Sequence, residues 1–350
     1  MKENSLLALV RANGVSCLAI IGIAKNVGKT VTLNALIREA AKADVKLAVA
    51  SYGRDGEDID VITLKEKPPI FIPPETCLIT TEKLFEQSRL QAEVIADTGL
   101  DTPLGRVKIY RSGNRGDCIE LAGVNRGSRL AMIEKLLPDD IGLFLIDGAV
   151  DRRSSAIPSL THGTVLATGA VIGNTVDLIV QRTMDEVERL TSPPCGEREV
   201  SMMAGEILKT GKSGLIRDRM IVGLGNGVFG GLSELDCSSL RSGDHLVLNG
   251  ALTDTFAESL ILEYEAENCT IIVRDGTRVF LNNRNMRLLK KKNVSLQVYE
   301  PIALIAVTVN PYSPYGFRVD SDLLVETMKG SLKDAGMETP VFDVLSKDYL

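Results

Sequence analysis

The chain has no tryptophan and two histidines, His162 and His245, in 350 residues. A His-rich metal centre is therefore excluded, and a Ser-His-Asp triad would have to rest on one of those two side chains. The six cysteines, at 17, 77, 118, 195, 237 and 269, never fall at paired spacing, so neither a zinc ribbon nor a redox pair is written into them. They read as reduced thiols, which suits a cytoplasmic protein. No apolar run reaches membrane-spanning length, and Met1–Asn4 with the helical-looking stretch 5–12 lacks the pattern of a secretion signal. Basic residues do not predominate either: 40 Lys and Arg stand against 46 Asp and Glu, a net charge of −6. That balance argues against a broad nucleic-acid surface.

What is present is an ordinary globular composition, 44% apolar and 25% charged, long enough for two domains or one large sheet. The stretch that organises it runs from Gly22 to Thr30 (Gly-Ile-Ala-Lys-Asn-Val-Gly-Lys-Thr). Before it, 16–21 is a nearly continuous apolar run, as expected of a strand buried on both faces. After it, Leu33, Leu36, Ile37, Ala40 and Ala41 fall at helical spacing. Strand, Gly-containing turn and helix is the setting that turns Gly-Lys-Thr into a phosphate-binding loop. In that setting Gly28 permits the tight turn, and backbone N–H groups with the positive helix end face a polyphosphate. Lys29 reaches the β and γ phosphates and the Thr30 hydroxyl holds Mg²⁺. Gly22, Lys25, Asn26, Val27 and Val31 complete the expected nucleotide-lining set. A loop that merely turns and binds nothing is the alternative.

A second motif supports the first. Residues 141–148 (Ile-Gly-Leu-Phe-Leu-Ile-Asp-Gly) form an apolar run that ends in an acid, the pattern of a Walker B strand. Such a strand delivers Asp147 to the carboxyl edge of a central sheet, beside Mg²⁺. Lys29 and Asp147 are thus the expected catalytic pair, with ATP and Mg²⁺ as cofactors. A further strand at 46–52 leads into the acid-rich segment 53–60 (Gly-Arg-Asp-Gly-Glu-Asp-Ile-Asp), from which Asp55 is a third candidate metal ligand unless the loop is only solvated. Arg152 and Arg153 either touch phosphate or lie in a solvated loop. Gly225–Gly230 matches a dinucleotide fingerprint by letter, but the helix it should open is broken by Ser, Asp and Gly, so it reads as a plain turn.

Elsewhere the rhythm is α/β. Helices are expected at 5–12, from Thr80 or Thr81 to about 90, at 127–137, 175–190, from about 253, and at 322–332. Strands are expected at 93–96, 107–110, 162–170, 245–249, 270–273 and 302–309, with a turn at 112–116, and Pro68–Pro74 brackets a short extended piece. Asp275-Gly276-Thr277 is either a hairpin turn or a strand-end loop. The Pro, Gly and Ser composition of 191–199 suggests a boundary, giving a nucleotide-binding domain over 1–192 and a second α/β region over 193–350 that either stands alone or continues the same sheet. The expected fold class is α/β, a P-loop NTPase-type, mostly parallel sheet flanked by helices.

Five residues separate Gly22 from Gly28, one more than the common loop, and Ile23 stands where the first glycine usually does. With Val27-Gly28-Lys29-Thr30, Asp147-Gly148-Ala149 and Thr168-Gly169-Ala170, this resembles the dethiobiotin synthetase-like branch of P-loop proteins. Lys25 lies one residue short of the extra lysine of the deviant Walker A ATPases, so that role is not carried over. The branch implies ATP, with adenine read by an Asn closing a late strand, and Asn249 and Asn310 both close such strands. A narrower resemblance runs through 22–36, 53–57, 146–152, 275–277 and 309–314, to the small reactivase subunit of adenosylcobalamin-dependent lysine 5,6-aminomutase and ornithine 4,5-aminomutase. It implies an ATP-hydrolysing chaperone that exchanges damaged cobalamin, with the aminomutase and a MutS-like ATPase subunit as protein partners. The alternative is an ATP-dependent ligase or small-molecule kinase of the dethiobiotin synthetase-like type, and a third reading is a nucleotide-binding regulator with little turnover.

Overall fold

The computed structural model describes residues 5–52, 70–124, 127–148, 156–225, 240–262 and 265–346. The chain begins with α1 (Leu6–Ala12), whose cap Ser5 accepts from Ala8 N. There follow β1 (Cys17–Gly22), α2 (Lys29–Lys42), β2 (Leu47–Tyr52), β3 (Ile70–Ile72), β4 (Cys77–Thr81) and α3 (Glu82–Gln87). Next come β5 (Ala92–Thr102), β6 (Gly105–Ser112), β7 (Asp117–Ile119), α4 (Gly127–Glu134), β8 (Leu143–Gly148), β9 (Gly163–Gly169) and α5 (Val176–Leu190). A second stretch carries α6 (Arg198–Lys209), β10 (Ser213–Arg217), β11 (Met220–Gly225), β12 (His245–Leu248), β13 (Leu252–Thr253) and α7 (Asp254–Leu262). It continues with β14 (Thr270–Val273), β15 (Val279–Phe280), α8 (Asn283–Lys291) and β16 (Ser295–Val298). The last leg is β17 (Leu304–Asn310), α9 (Ser321–Asp334) and β18 (Val341–Asp343).

Two compact units result, Met1–Met184 with Ala303–Leu350, and Asp185–Ile302. The boundary expected at 192 thus lies at 184, and residues 303–350 return to the first unit instead of completing the second. The pattern of 191–199 misleads because backbone pairing ties it down: Cys195 N donates to Val298 O at 2.9 Å, and Val298 N donates to Pro193 O at 2.9 Å.

In the first unit nine strands form one sheet in the order β18-β17-β9-β1-β8-β2-β4-β6-β5. Every pairing from β18 to β4 is parallel, and β6 runs antiparallel to β4 and β5. β2, β4 and β9 are buried along their whole length, as strands with side chains packed on both faces must be. One face carries Leu18, Ile20, Val49 and Leu145 against Leu6, Leu7, Leu33 and Leu36 of α1 and α2. The other carries Ala48, Ala50, Phe144 and Ile146 against Leu130 and Ile133 of α4. Alternation along each strand divides the two cores.

Thr81 is the N-cap of α3, as expected, although its side chain makes no capping bond. Thr80 and Thr81 are the last residues of β4, and the helix ends at Gln87. The expected turn at 112–116 lies between β6 and β7, and β5 and β6 form a hairpin that turns at 102–105. Gly105 (φ 89°) supplies the left-handed residue there, and Thr102 Oγ1 accepts from Leu104 N at 3.1 Å.

The second unit holds a five-stranded sheet, β11-β10-β12-β14-β16, parallel among β12, β14 and β16. Its core is built from Leu246, Leu248, Ile271 and Val273 against Leu260 and Leu289. Thr253 Oγ1 accepts from Phe256 N, the expected cap of α7. Asp275-Gly276-Thr277 is a strand-end loop and not a hairpin, since β14 has only parallel partners among the described residues.

Candidate functional site

Seven parallel strands of the first unit end at one edge, where open α/β sheets hold their ligands. From β1 the chain passes through α2 to β2, on the β8 side, whereas from β8 it crosses to β9 on the other side of β1. The strand order therefore reverses at the carboxyl end of β1, and the segment found there is 23–28.

That loop is shaped by its own residues. Ile23 N donates to Ala167 O at 3.3 Å, fixing the exit from β1. Lys25 and Asn26 are exposed at the tip, with Asn26 left-handed (φ 60°), and Val27 is buried. Gly28 is the N-cap of α2 at φ 107°, where an L side chain would be strained. Gly22 closes β1, and a Cβ on it would lie 2.6 Å from Val27 Cγ2 and 2.9 Å from Lys29 Cγ, so the Lys29 stem folds directly over it.

The charges at the start of α2 oppose one another. Lys29 is the first helical residue and only 8% exposed, its Nζ 3.4 Å from Ala24 O. A cation at the positive end of a helix is unfavourable. Gly28 has no side chain with which to cap that end, and no acid stands in the first turn. The first N–H groups of a helix have no partner inside it. An anion seated on the loop would accept from those N–H groups and lie beside the Lys29 charge.

Thr30 follows, half-buried, and Val31 is similar. Asp147 enters from β8, level with Ile20 of β1 and Ser51 of β2, two residues before Gly22 in register. Adjacent strands lie about 4.8 Å apart, so the acid sits one strand from the root of the loop. Among the described residues no three His, Cys, Asp or Glu side chains form a metal cluster. A hydroxyl and one carboxylate suit a hard ion that keeps phosphate and water oxygens, as Mg²⁺ does, and not an all-protein cage. The candidate Asp55, with 53–60, and Arg152 and Arg153 lie outside the described residues, as does all of the Gly225–Gly230 segment beyond Gly225.

Of the two asparagines, Asn310 reaches this edge. A Cβ on Gly28 would be 3.1 Å from Asn310 Cβ and 3.5 Å from its Nδ2; one on Gly169, which closes β9, would be 2.9 Å from Asn310 Cβ. Two bare glycines thus leave the slot in which Asn310 packs. Two residues earlier on β17, and so on the same face, Thr308 Oγ1 lies 2.8 Å from Thr32 Oγ1 of α2 in a buried pair. Asn310 Oδ1 accepts from Tyr312 N at 3.0 Å, which turns the amide so that Nδ2 remains to donate. Asn249 belongs to the second unit, and its Nδ2 donates to Gly211 O at 2.8 Å, closing a turn.

No family model, curated protein or solved structure matches this chain. The site is therefore defined by its geometry alone. Thr308 and the Thr32 hydroxyl were not singled out in the sequence, because their part in the site depends on β17 lying next to β9, across a long intervening insertion. His162, one of the two side chains on which a triad would rest, hydrogen-bonds through Nδ1 with Ser16 Oγ at 2.8 Å, before β1 and β9 begin and so at the opposite edge of the sheet. Among the described residues no helix is long and apolar enough to cross a membrane.

Proposed function

We propose that the first unit is a P-loop module that binds ATP with Mg²⁺ and hydrolyses it, in the service of a reactivating chaperone for an adenosylcobalamin-dependent aminomutase. The observation that carries the nucleotide reading is the buried Lys29 at the positive end of α2, following a left-handed glycine N-cap and beside a carboxylate strand. In this reading Lys29 and the N–H groups of the first turn of α2 neutralise β and γ phosphate oxygens. Thr30 and Asp147 hold Mg²⁺, which when bound supplies charge neutralisation and orientation to the phosphates. The Asn310 amide keeps a donor for a ring nitrogen of adenine, in line with the base preference that the resemblance to dethiobiotin synthetase-like proteins implies.

The chaperone role rests on the narrower resemblance to the small reactivase subunit, and a MutS-like ATPase subunit would be the second partner. Its test is phosphate release by the purified chain, alone and with an aminomutase inactivated by damaged cobalamin, with and without that second subunit. Stimulated release of phosphate together with exit of the damaged cobalamin is the expected result. A phosphorylated small molecule or an ATP-dependent amide product would instead make the chain a kinase or ligase. Absence of any nucleotide binding would overturn the reading as a whole.

A further inference from the structure

Aromatic residues make up 4% of the chain, yet three of them, Tyr312, Tyr315 and Phe317, stand exposed in one short loop after β17. The loop is held by its own bonds: Val319 N to Pro311 O at 3.0 Å, Ser313 N to Phe317 O at 2.9 Å, and Tyr315 N to Ser313 Oγ at 3.2 Å. It is also fixed to the phosphate loop. Tyr312 N donates to Asn310 Oδ1, and Asn310 packs against Gly28. Two residues span at most about 7 Å, so Tyr312 stays near the loop's edge. The Arg318 guanidinium lies over the Tyr312 ring, 4.9 Å from its centroid. With Arg318 over one face, the residue is still 47% exposed.

We propose that Tyr312, backed by Arg318, is the stacking platform for the base of a purine nucleotide whose phosphates lie on residues 22–30. The inference rests on the phosphate-site reading and adds to it the source of base affinity. A π face accepts any base, and a guanidinium on its far side completes a cation, ring and base stack. Stacking then holds adenine and guanine alike, and Asn310 is left to discriminate between them.

Isothermal titration of the full chain with ATP, GTP and inorganic tripolyphosphate tests this. Tyr312→Leu is expected to weaken both nucleotides about ten-fold and to leave tripolyphosphate affinity unchanged. Tyr312→Phe, which keeps the ring, retains nucleotide affinity and shows that the loop still folds. Tyr315→Leu, which removes a ring 79% exposed on the same loop, leaves all three affinities unchanged. Unchanged nucleotide binding in Tyr312→Leu, or a parallel loss for tripolyphosphate, overturns the platform while the phosphate site stands. If the unaltered chain binds neither nucleotide nor tripolyphosphate, the phosphate site falls and the platform with it.

Discussion

Lys29 is the residue on which the nucleotide reading turns. Hydrogen bonds to charged groups contribute about 1.5–3 kcal/mol, so Lys29→Ala should weaken ATP about ten- to a hundred-fold. Equal calorimetric affinities for the two proteins would remove the assignment. In the proposed reading Thr30 and Asp147 serve one ion, so they should act together. Asp147→Asn and Thr30→Ala are each expected to impair ATP turnover more than Mg-free nucleotide binding, and the double variant to lose much less than the sum of the two. Turnover measured against Mg²⁺ for the four proteins checks it. Additive losses with an unshifted Mg²⁺ requirement would pass the metal role to another acid.

At the scale of elements, the contact of α2 with β17 positions the site. Thr32 and Thr308 share a buried hydrogen bond, so Thr308→Val should strand the Thr32 hydroxyl and cost about 1–3 kcal/mol, whereas changing both to Val should recover much of that loss. Urea unfolding of the three variants measures it. Two turns of the second unit depend on pH in opposite directions. Burial pushes the Asp275 carboxyl above the usual range, against the hydrogen bonds from Thr277 N and Oγ1 and the charges of Arg278 and Arg274. A raised native value makes the ionised form costly, so Asp275→Asn should raise the unfolding temperature at pH 7. That gain should vanish below about pH 3.9, where native and unfolded chains are both protonated. For Asp244, burial alone would also raise the carboxyl, but Arg217 at 2.6 and 2.9 Å and Arg241 N at 2.8 Å bring it below the usual range. Its contribution is therefore present above about pH 3.9 and lost as pH falls through the lower native value. Thermal unfolding of Asp244→Asn and Asp275→Asn between pH 3 and 7 should give differences of opposite sign.

The whole molecule comprises two units, each with its own core. Such a chain need not unfold in one step. Scanning calorimetry is expected to resolve two transitions, and Mg²⁺ with ATP at about a hundred times its Kd should raise one of them, by the equivalent of about 2.7 kcal/mol. The other should not move. A single transition would mean that the two cores melt as one.

Local patterning in the sequence already determined several elements: β1, α2, β2, β8, β9 and β17 could be read from runs of apolar residues and their change of period. The loop 22–30 was legible for the same reason, since its residues are neighbours in the chain and their order alone implies strand, turn and helix. Asp147 stood out for the same reason, as the acid that ends the apolar run of β8. By contrast, the unit boundary and the placement of Asn310 were decided by tertiary structure. Pro193 and Pro194 look like a linker until Val298 is seen to pair beside them. Asn249 and Asn310 are alike as strand-closing residues. Only the pairing of β17 with β9, which brings Asn310 level with Gly169 and against Gly28, separates them. Strand neighbours far apart in sequence are chosen by how well whole faces bury, and that sum over many side chains is not carried by any short stretch.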